Sequence, residues 1–232
     1  MGSRGDVNKS ITAGKLLRQR IEAGDFILAP GVYDGFSARI ALEVGFDVLY
    51  MVQTKRCGHL AGKVLVDLEE YVARIRAAVQ ARRRIGSDIV IIARTDSIQK
   101  HGYEEALGRL RAARDAGADA AFPEGLRSVE EARRMIADLA PWPVLLNMVE
   151  NSVTPKLSAK EAENLGFSMI IVPLATLAPA YTAVKAGLQK LKETGSADTE
   201  LTPQDLFRVC GLDESMKVDE EAGASNFEGG VD

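Results

Sequence analysis

The sequence predicts an α/β protein of the (β/α)8 TIM-barrel type, here incomplete, with about six βα units recognisable in place of eight. Three observations carry this. From Phe26 to Val172, short apolar runs alternate with amphipathic helical patterns. The runs are almost continuously apolar, as parallel strands covered on both faces must be. Polar residues gather where those runs end, at the face on which such barrels carry their sites. A doubly wound sheet also binds ligands at strand ends, usually at one switch point and often through a glycine-rich first turn. No G-x-G-x-x-G is present and polar strand ends recur along the chain, so the pattern favours the barrel.

The strands are expected at Phe26–Pro30, Phe46–Val52, Asp88–Arg94, Asp119–Pro123, Pro143–Asn147 and Ser168–Val172. Helices are expected between them at Ser37–Val44, Leu68–Arg84, Tyr103–Ala116, Val129–Leu139 and Ala159–Leu165. Gly45, Gly86, Gly117 and Gly166 stand where helices end, and glycine accepts the left-handed conformation that closes a last turn. Ser128 before Glu131 and Ser158 before Glu161 have the spacing of capping boxes. A last helix is expected from about Ala178 to Thr194, and a short one at Pro203–Val209. The tail Asp213–Asp232, rich in Glu, Asp, Gly and Ser, is expected to be disordered, or ordered only against a partner.

At 232 residues and 46% hydrophobic, the chain is long enough to build a large single core. A formal net charge of -4 argues against non-specific nucleic-acid binding. The two cysteines, Cys57 and Cys210, give no disulfide framework and suit a reducing compartment. No apolar run reaches membrane-spanning length, and Met1–Ser10 lacks a signal-peptide core. The expectation is a cytoplasmic protein that binds neither nucleic acid nor membrane.

Chemistry concentrates in a few places. Lys55-Arg56-Cys57-Gly58-His59-Leu60-Ala61-Gly62-Lys63 sets a thiol among cations, a histidine and glycines, surroundings that favour thiolate and let a loop close over a small anion. The competing reading of Cys57 is a small buried hydrophobe. Arg94, at a strand end, offers a planar fork matched to a carboxylate or phosphate, or else an internal ion pair with Asp96. Glu124 and Asn147 follow neighbouring strands and either complete a polar pocket or cap and close loops. Together they suggest a small anionic substrate, a carboxylate, and carbon-acid chemistry.

Several segments together resemble the isocitrate lyase/phosphoenolpyruvate mutase superfamily. They are Pro30-Gly31-Val32-Tyr33-Asp34-Gly35-Phe36-Ser37-Ala38-Arg39, Lys55-Arg56-Cys57-Gly58-His59-Leu60, Ile91-Ile92-Ala93-Arg94-Thr95-Asp96, Phe122-Pro123-Glu124 and Asn147-Met148-Val149-Glu150 with Thr154-Pro155. The resemblance runs from about Ala13 to Gly195 and implies a (β/α) barrel using Mg²⁺. It also implies making or breaking a C–C or P–C bond through an enolate-type intermediate. The cysteine loop is similar to that of the lyase branch and argues against P–C chemistry on phosphonopyruvate. By resemblance, Cys57 is the general acid or base, Gly58 and His59 help to bind substrate, and Arg94 holds a carboxylate. Glu124 and Asn147 contact substrate, with Tyr33 beside them, and Ser152 supplies a hydroxyl to a hydrated keto group or is simply a polar loop serine. Ala178 stands where methylisocitrate lyases carry an arginine for an additional carboxylate. This points to the oxaloacetate hydrolase and 2,3-dimethylmalate lyase branch.

One part of the pattern is missing. Between Met51 and Val52 such sequences insert two βα units carrying a Ser/Gly loop, an Asp-x-Asp-Thr-Gly metal motif and a His-x-Glu-Asp strand. At about 30 residues per unit, roughly 60 residues are absent. The expected layout is a barrel domain over 13–195 lacking those units, and a polar extension over 196–232. Mg²⁺ is the cofactor implied, with no ligand set for it in this chain. Two functions follow: a lyase or hydrolase of oxaloacetate or a substituted malate, or an inactive relative acting through assembly. Such proteins oligomerise and exchange their last helix, so Thr182–Lys192 is the segment expected to dock on another copy or a full-length subunit.

Overall fold

The computed structural model describes residues 12–51, 64–150 and 152–223. They form two compact units, one comprising residues up to 28 with 54–172, the other 29–53 with 173–232.

The first unit opens with helix α1 (Ala13–Ala23), which the apolar pattern did not announce. Thr12 caps it by accepting from Lys15 N–H, and Gly24 closes it at φ 78°. Helix α3 (Leu68–Arg84), strand β3 (Ile92–Thr95), the short helix α4 (Ile98–His101) and helix α5 (Tyr103–Asp115) then follow. Strand β4 (Ala120–Pro123), helix α6 (Val129–Leu139), strand β5 (Leu145–Asn147), helix α7 (Ala159–Leu165) and strand β6 (Met169–Val172) complete the alternation. Ser158 and Glu161 form the expected capping box at α7. At α6, Ser128 accepts from Glu131 N–H, but the Glu131 carboxylate turns to Arg127 N–H instead.

Strands lie in chain order and run parallel. β3 pairs with β4 from Ile92↔Ala120 to Thr95↔Pro123, and β5 pairs with β6 from Leu145↔Met169 to Asn147↔Ile171. A parallel bridge between Ala121 and Val144 links the two pairs. The order never reverses, as in a barrel and unlike a doubly wound sheet. Ile98, Leu110, Leu126, Met135, Leu139, Val144, Leu146 and Ile170 are packed between strands and helices in one cluster. A smaller cluster of Ala93, Ala113 and Ala118, with Tyr71, Ile75, Ile91 and Trp142 against it, lies under α5. Alanines there let the helix approach the sheet closely.

At the opposite end of these strands, Asp119 accepts from Arg18, from Arg82 and from Ile91 N–H. Burial opposes the charged carboxyl, yet the two guanidinium groups and the amide outweigh it and hold Asp119 below the usual carboxylate range. One side chain thus ties α1, α3 and the approach to β3 together.

In the second unit, strand β1 (Ile27–Val32, whose first two residues belong to the first unit) pairs in parallel with strand β2 (Tyr50–Met51) at Gly31↔Tyr50 and Val32↔Met51. Helix α2 (Gly35–Glu43) begins at a capping box between Asp34 and Ser37. The carbonyl of Pro173 passes so close to Gly31 that a Cβ there would lie 2.2 Å from its oxygen. Thr176 Oγ1 donates to Gly31 O at 2.7 Å, fixing the start of helix α8 (Leu177–Thr194). Two more helices, α9 (Pro203–Val209) and α10 (Leu212–Glu221), follow among the described residues. The expectation of a disordered tail from Asp213 is therefore corrected: Asp213–Glu221 is helical, and Glu214 reaches Arg39 Nη1 at 3.1 Å. Asp213 and Glu214 in the first turn suit the positive end of the helix dipole.

Candidate active site

Parallel neighbours in equal register bring equal positions to the same level, and the site follows from this. Arg94 pairs with Phe122 across β3 and β4, so Asp96 and Glu124, each two residues on, leave the sheet at one end. Asn147 is the last residue of the next strand, β5. Glu124 N–H donates to Thr95 O at 3.0 Å, which continues the ladder one step past β4 and turns its side chain inward.

Arg94, Glu124 and Asn147 meet there. Arg94 Nη2 lies 3.1 Å from Glu124 Oε2, and Asn147 Nδ2 donates to the same oxygen at 3.0 Å. Glu124 is 2% exposed and Asn147 8%, so a carboxylate is held in the interior by one cation and one amide. Asp96 grips the other edge of the guanidinium, with Nε–Oδ2 at 2.8 Å and Nη2–Oδ1 at 3.0 Å. The internal ion pair that the sequence offered as one reading of Arg94 thus forms, and it coexists with the contact to Glu124. The Phe122 ring centroid is 4.9 Å from the Arg94 guanidinium carbon, a cation–π distance. Behind them, Thr95 and Ser97 share a buried hydroxyl hydrogen bond of 2.9 Å. Asn147 Oδ1 is buried without a partner among the described residues, an acceptor that a ligand hydroxyl or a water can satisfy.

The other expected residues are placed less centrally. Ser152 lies in the loop after β5, where its Oγ accepts from Thr154 N–H at 3.4 Å. Tyr33 belongs to the second unit, just past β1, and its N–H donates to Ser37 Oγ. Next to it, Asp34 is a helix cap: the Ser37 N–H and hydroxyl hold its carboxyl below the usual range. Cys57, Gly58 and His59 lie outside the described residues. Asp96 as a two-point clamp and Phe122 as a platform were not singled out from the sequence. The signal was the shared offset of Arg94-Thr95-Asp96 and Phe122-Pro123-Glu124, which becomes informative once β3 and β4 are known to pair in register. A separate cleft of about 510 Å³, lined by Leu68, Val72, Ala112 and Ala116, lies between α3 and α5 rather than at the strand ends.

The resemblance implies Mg²⁺, and the donor set does not fit it. Among the described residues, no group of three or more His, Cys, Asp or Glu could hold a metal ion. Asp96 and Glu124, the nearest carboxylates, both engage Arg94. Also among the described residues, no helix is long and apolar enough to cross a membrane.

Residues 53–192 match the family described as phosphoenolpyruvate phosphomutase. A crystal structure of 2,3-dimethylmalate lyase superimposes with a TM-score of 0.92 at 48% identity, covering 97% of this chain and 100% of that one. The structure of oxaloacetate acetylhydrolase in complex with the inhibitor 3,3-difluorooxalacetate gives a TM-score of 0.88 at 38% identity, covering 94% and 99%. The 2-methylisocitrate lyase of Aeropyrum pernix is 28% identical over 283 aligned positions, more than the 232 residues of this chain, covering 90% of each. The chain spans only 55% and 60% of the length of two other curated relatives. With its parallel strands in barrel order and its polar strand ends, the chain belongs to the phosphoenolpyruvate mutase/isocitrate lyase superfamily.

Proposed function

We propose that this chain is a shortened form of a C–C bond lyase or hydrolase acting on a small 2-oxo or 2-hydroxy dicarboxylate, oxaloacetate or a substituted malate. The observation that supports it best is the meeting of Arg94, Glu124 and Asn147 at the ends of three consecutive strands. In the intact form, Arg94 meets a substrate carboxylate while Glu124 and Asn147 orient the carbon next to it. A base that the described residues do not identify takes the proton of the 2-hydroxyl or hydrated 2-oxo group. The C–C bond breaks to leave an enolate on the departing fragment, and Cys57 delivers a proton to its carbon, with His59 nearby in sequence. The likeness to 2,3-dimethylmalate lyase and to oxaloacetate acetylhydrolase supports this substrate class.

Two βα units are absent between Met51 and Val52 in this reading, and the metal ligands with them. The alignment over more positions than the chain possesses supports it. Incubating the 232-residue protein with oxaloacetate and Mg²⁺, and following oxalate with a Cys57→Ser control, tests the activity. Oxalate release that the substitution abolishes would mean that a metal site is rebuilt. Its absence from protein with folded near-UV circular dichroism would assign catalysis to intact relatives alone.

A second reading, action through assembly, has its own support in α8. Leu177, Tyr181, Val184, Leu188 and Leu191 are all exposed, and they recur at alternating intervals of four and three residues. That spacing forms one seam of the kind that packs against another helix. Retention of a full-length relative by the tagged chain, lost in Leu188→Glu, is the outcome this reading requires.

A further inference from the structure

We infer that Asp96 and Phe122 are positioning residues, which fix the direction in which Arg94 presents its guanidinium to a ligand. The inference rests on the reading that Arg94 meets the substrate. An arginine side chain carries four rotatable bonds, so a single ion pair leaves its plane free to swing. Asp96 removes most of that freedom by bonding Nε and Nη2 together, 2.8 and 3.0 Å away, which sets the plane of the fork as well as its position. Phe122 limits the remaining rotation by lying under the guanidinium at 4.9 Å. Phe122 is also the register partner of Arg94, so the strand pairing itself delivers the ring to this place.

Asp96 and Glu124 then have different tasks. Glu124 is almost fully buried and is shared between Arg94 and Asn147. Asp96 is one-fifth exposed and holds the edge of the guanidinium that includes Nε.

The test compares the intact chain with Asp96→Asn, Asp96→Glu and Phe122→Leu. Phenylglyoxal modification is followed at individual arginines by mass spectrometry, with oxalate release from oxaloacetate measured in parallel. Loss of the two-point clamp should raise the modification rate at Arg94 about tenfold in Asp96→Asn and about twofold in Phe122→Leu, since a charge-assisted pair shields the guanidinium. Asp96→Glu should restore part of the protection. Arg109, buried and paired with Glu105 at 2.7 Å, is the control and should not change. Where oxalate is released, KM should rise more than kcat falls.

Faster modification at Arg109 as well as Arg94 would mean that Asp96 merely stabilises the fold, and the inference would fail. An unchanged Arg94 rate in Asp96→Asn and in Phe122→Leu would also overturn it, even with oxalate released normally. Selective exposure of Arg94 without any oxalate would uphold the positioning and assign catalysis to intact relatives alone. Should Asp96→Asn not fold, Phe122→Leu alone decides.

Discussion

Asn147 shows how much a single amide controls. Its Nδ2 donates to a carboxyl group that has almost no access to water, and its Oδ1 is buried without a partner among the described residues. Replacing it with leucine should cost about 1–3 kcal/mol in urea unfolding, because Glu124 loses a donor without gaining water. Asp119 makes a different prediction. Its carboxyl is held below the unfolded value, so its contribution is complete above about pH 3.9 and disappears as pH falls through the folded pKa. Asp119→Asn should therefore be less stable than the parent by about 1–3 kcal/mol at pH 7. Unfolding measured down to pH 2 should show that difference shrinking, and a constant gap would argue against the Arg18 and Arg82 contacts.

Among the elements, β1 is closely approached at Gly31, which leaves no room for a side chain. A methyl group there would meet the main chain of Pro173, which cannot swing aside as a side-chain terminus can. Gly31→Ala should destabilise the protein by about 1–3 kcal/mol, the range for forcing extra volume into a packed place. Gly35→Ala, where a Cβ would meet nothing within 4 Å, is the matched control. At α7, Ser158 supplies one half of a complete capping box. Ser158→Ala should lower the thermal midpoint by an amount equivalent to about 1 kcal/mol. Calorimetry on both substitutions separates the cost of crowding from that of an uncapped helix.

For the whole molecule, the decisive quantity is what lies between Met51 and Val52. On the proposed reading, roughly 60 residues that complete the sheet and carry the metal ligands are absent. Restoring two βα units of a relative should raise the thermal midpoint and create a Mg²⁺ site detectable by isothermal titration calorimetry. The 232-residue chain should give no heat at the same Mg²⁺ concentrations. Equal binding by both chains would mean that the described donors are not the whole of the metal chemistry. A lower midpoint in the restored chain would refute the excision.

Most elements were legible because their signals are local. Four apolar runs and five helical patterns became elements close to their expected limits, since parallel strands covered on both faces leave continuous apolar runs. The runs Phe46–Val52 and Asp88–Arg94 give shorter strands, Tyr50–Met51 and Ile92–Thr95, and Val52 lies outside the described residues. Helix α1 escaped notice because it has no buried residue, and α10 because an acidic, glycine-flanked segment reads as disorder. The site was legible only as types of residue: Arg94, Glu124 and Asn147 were recognisable as polar strand ends, and Cys57 as a charged thiol loop. That Arg94 would hold Glu124 and lie over Phe122 as well as the Asp96 that the sequence offered was not, because that depends on the pairing of β3 with β4. The sequence by itself determined the alternation of strands and helices, the family and the residue types carrying the chemistry. Tertiary structure alone decided that Arg94 is held by Asp96, Glu124 and Phe122 at once, because register between strands distant in the chain sets those distances.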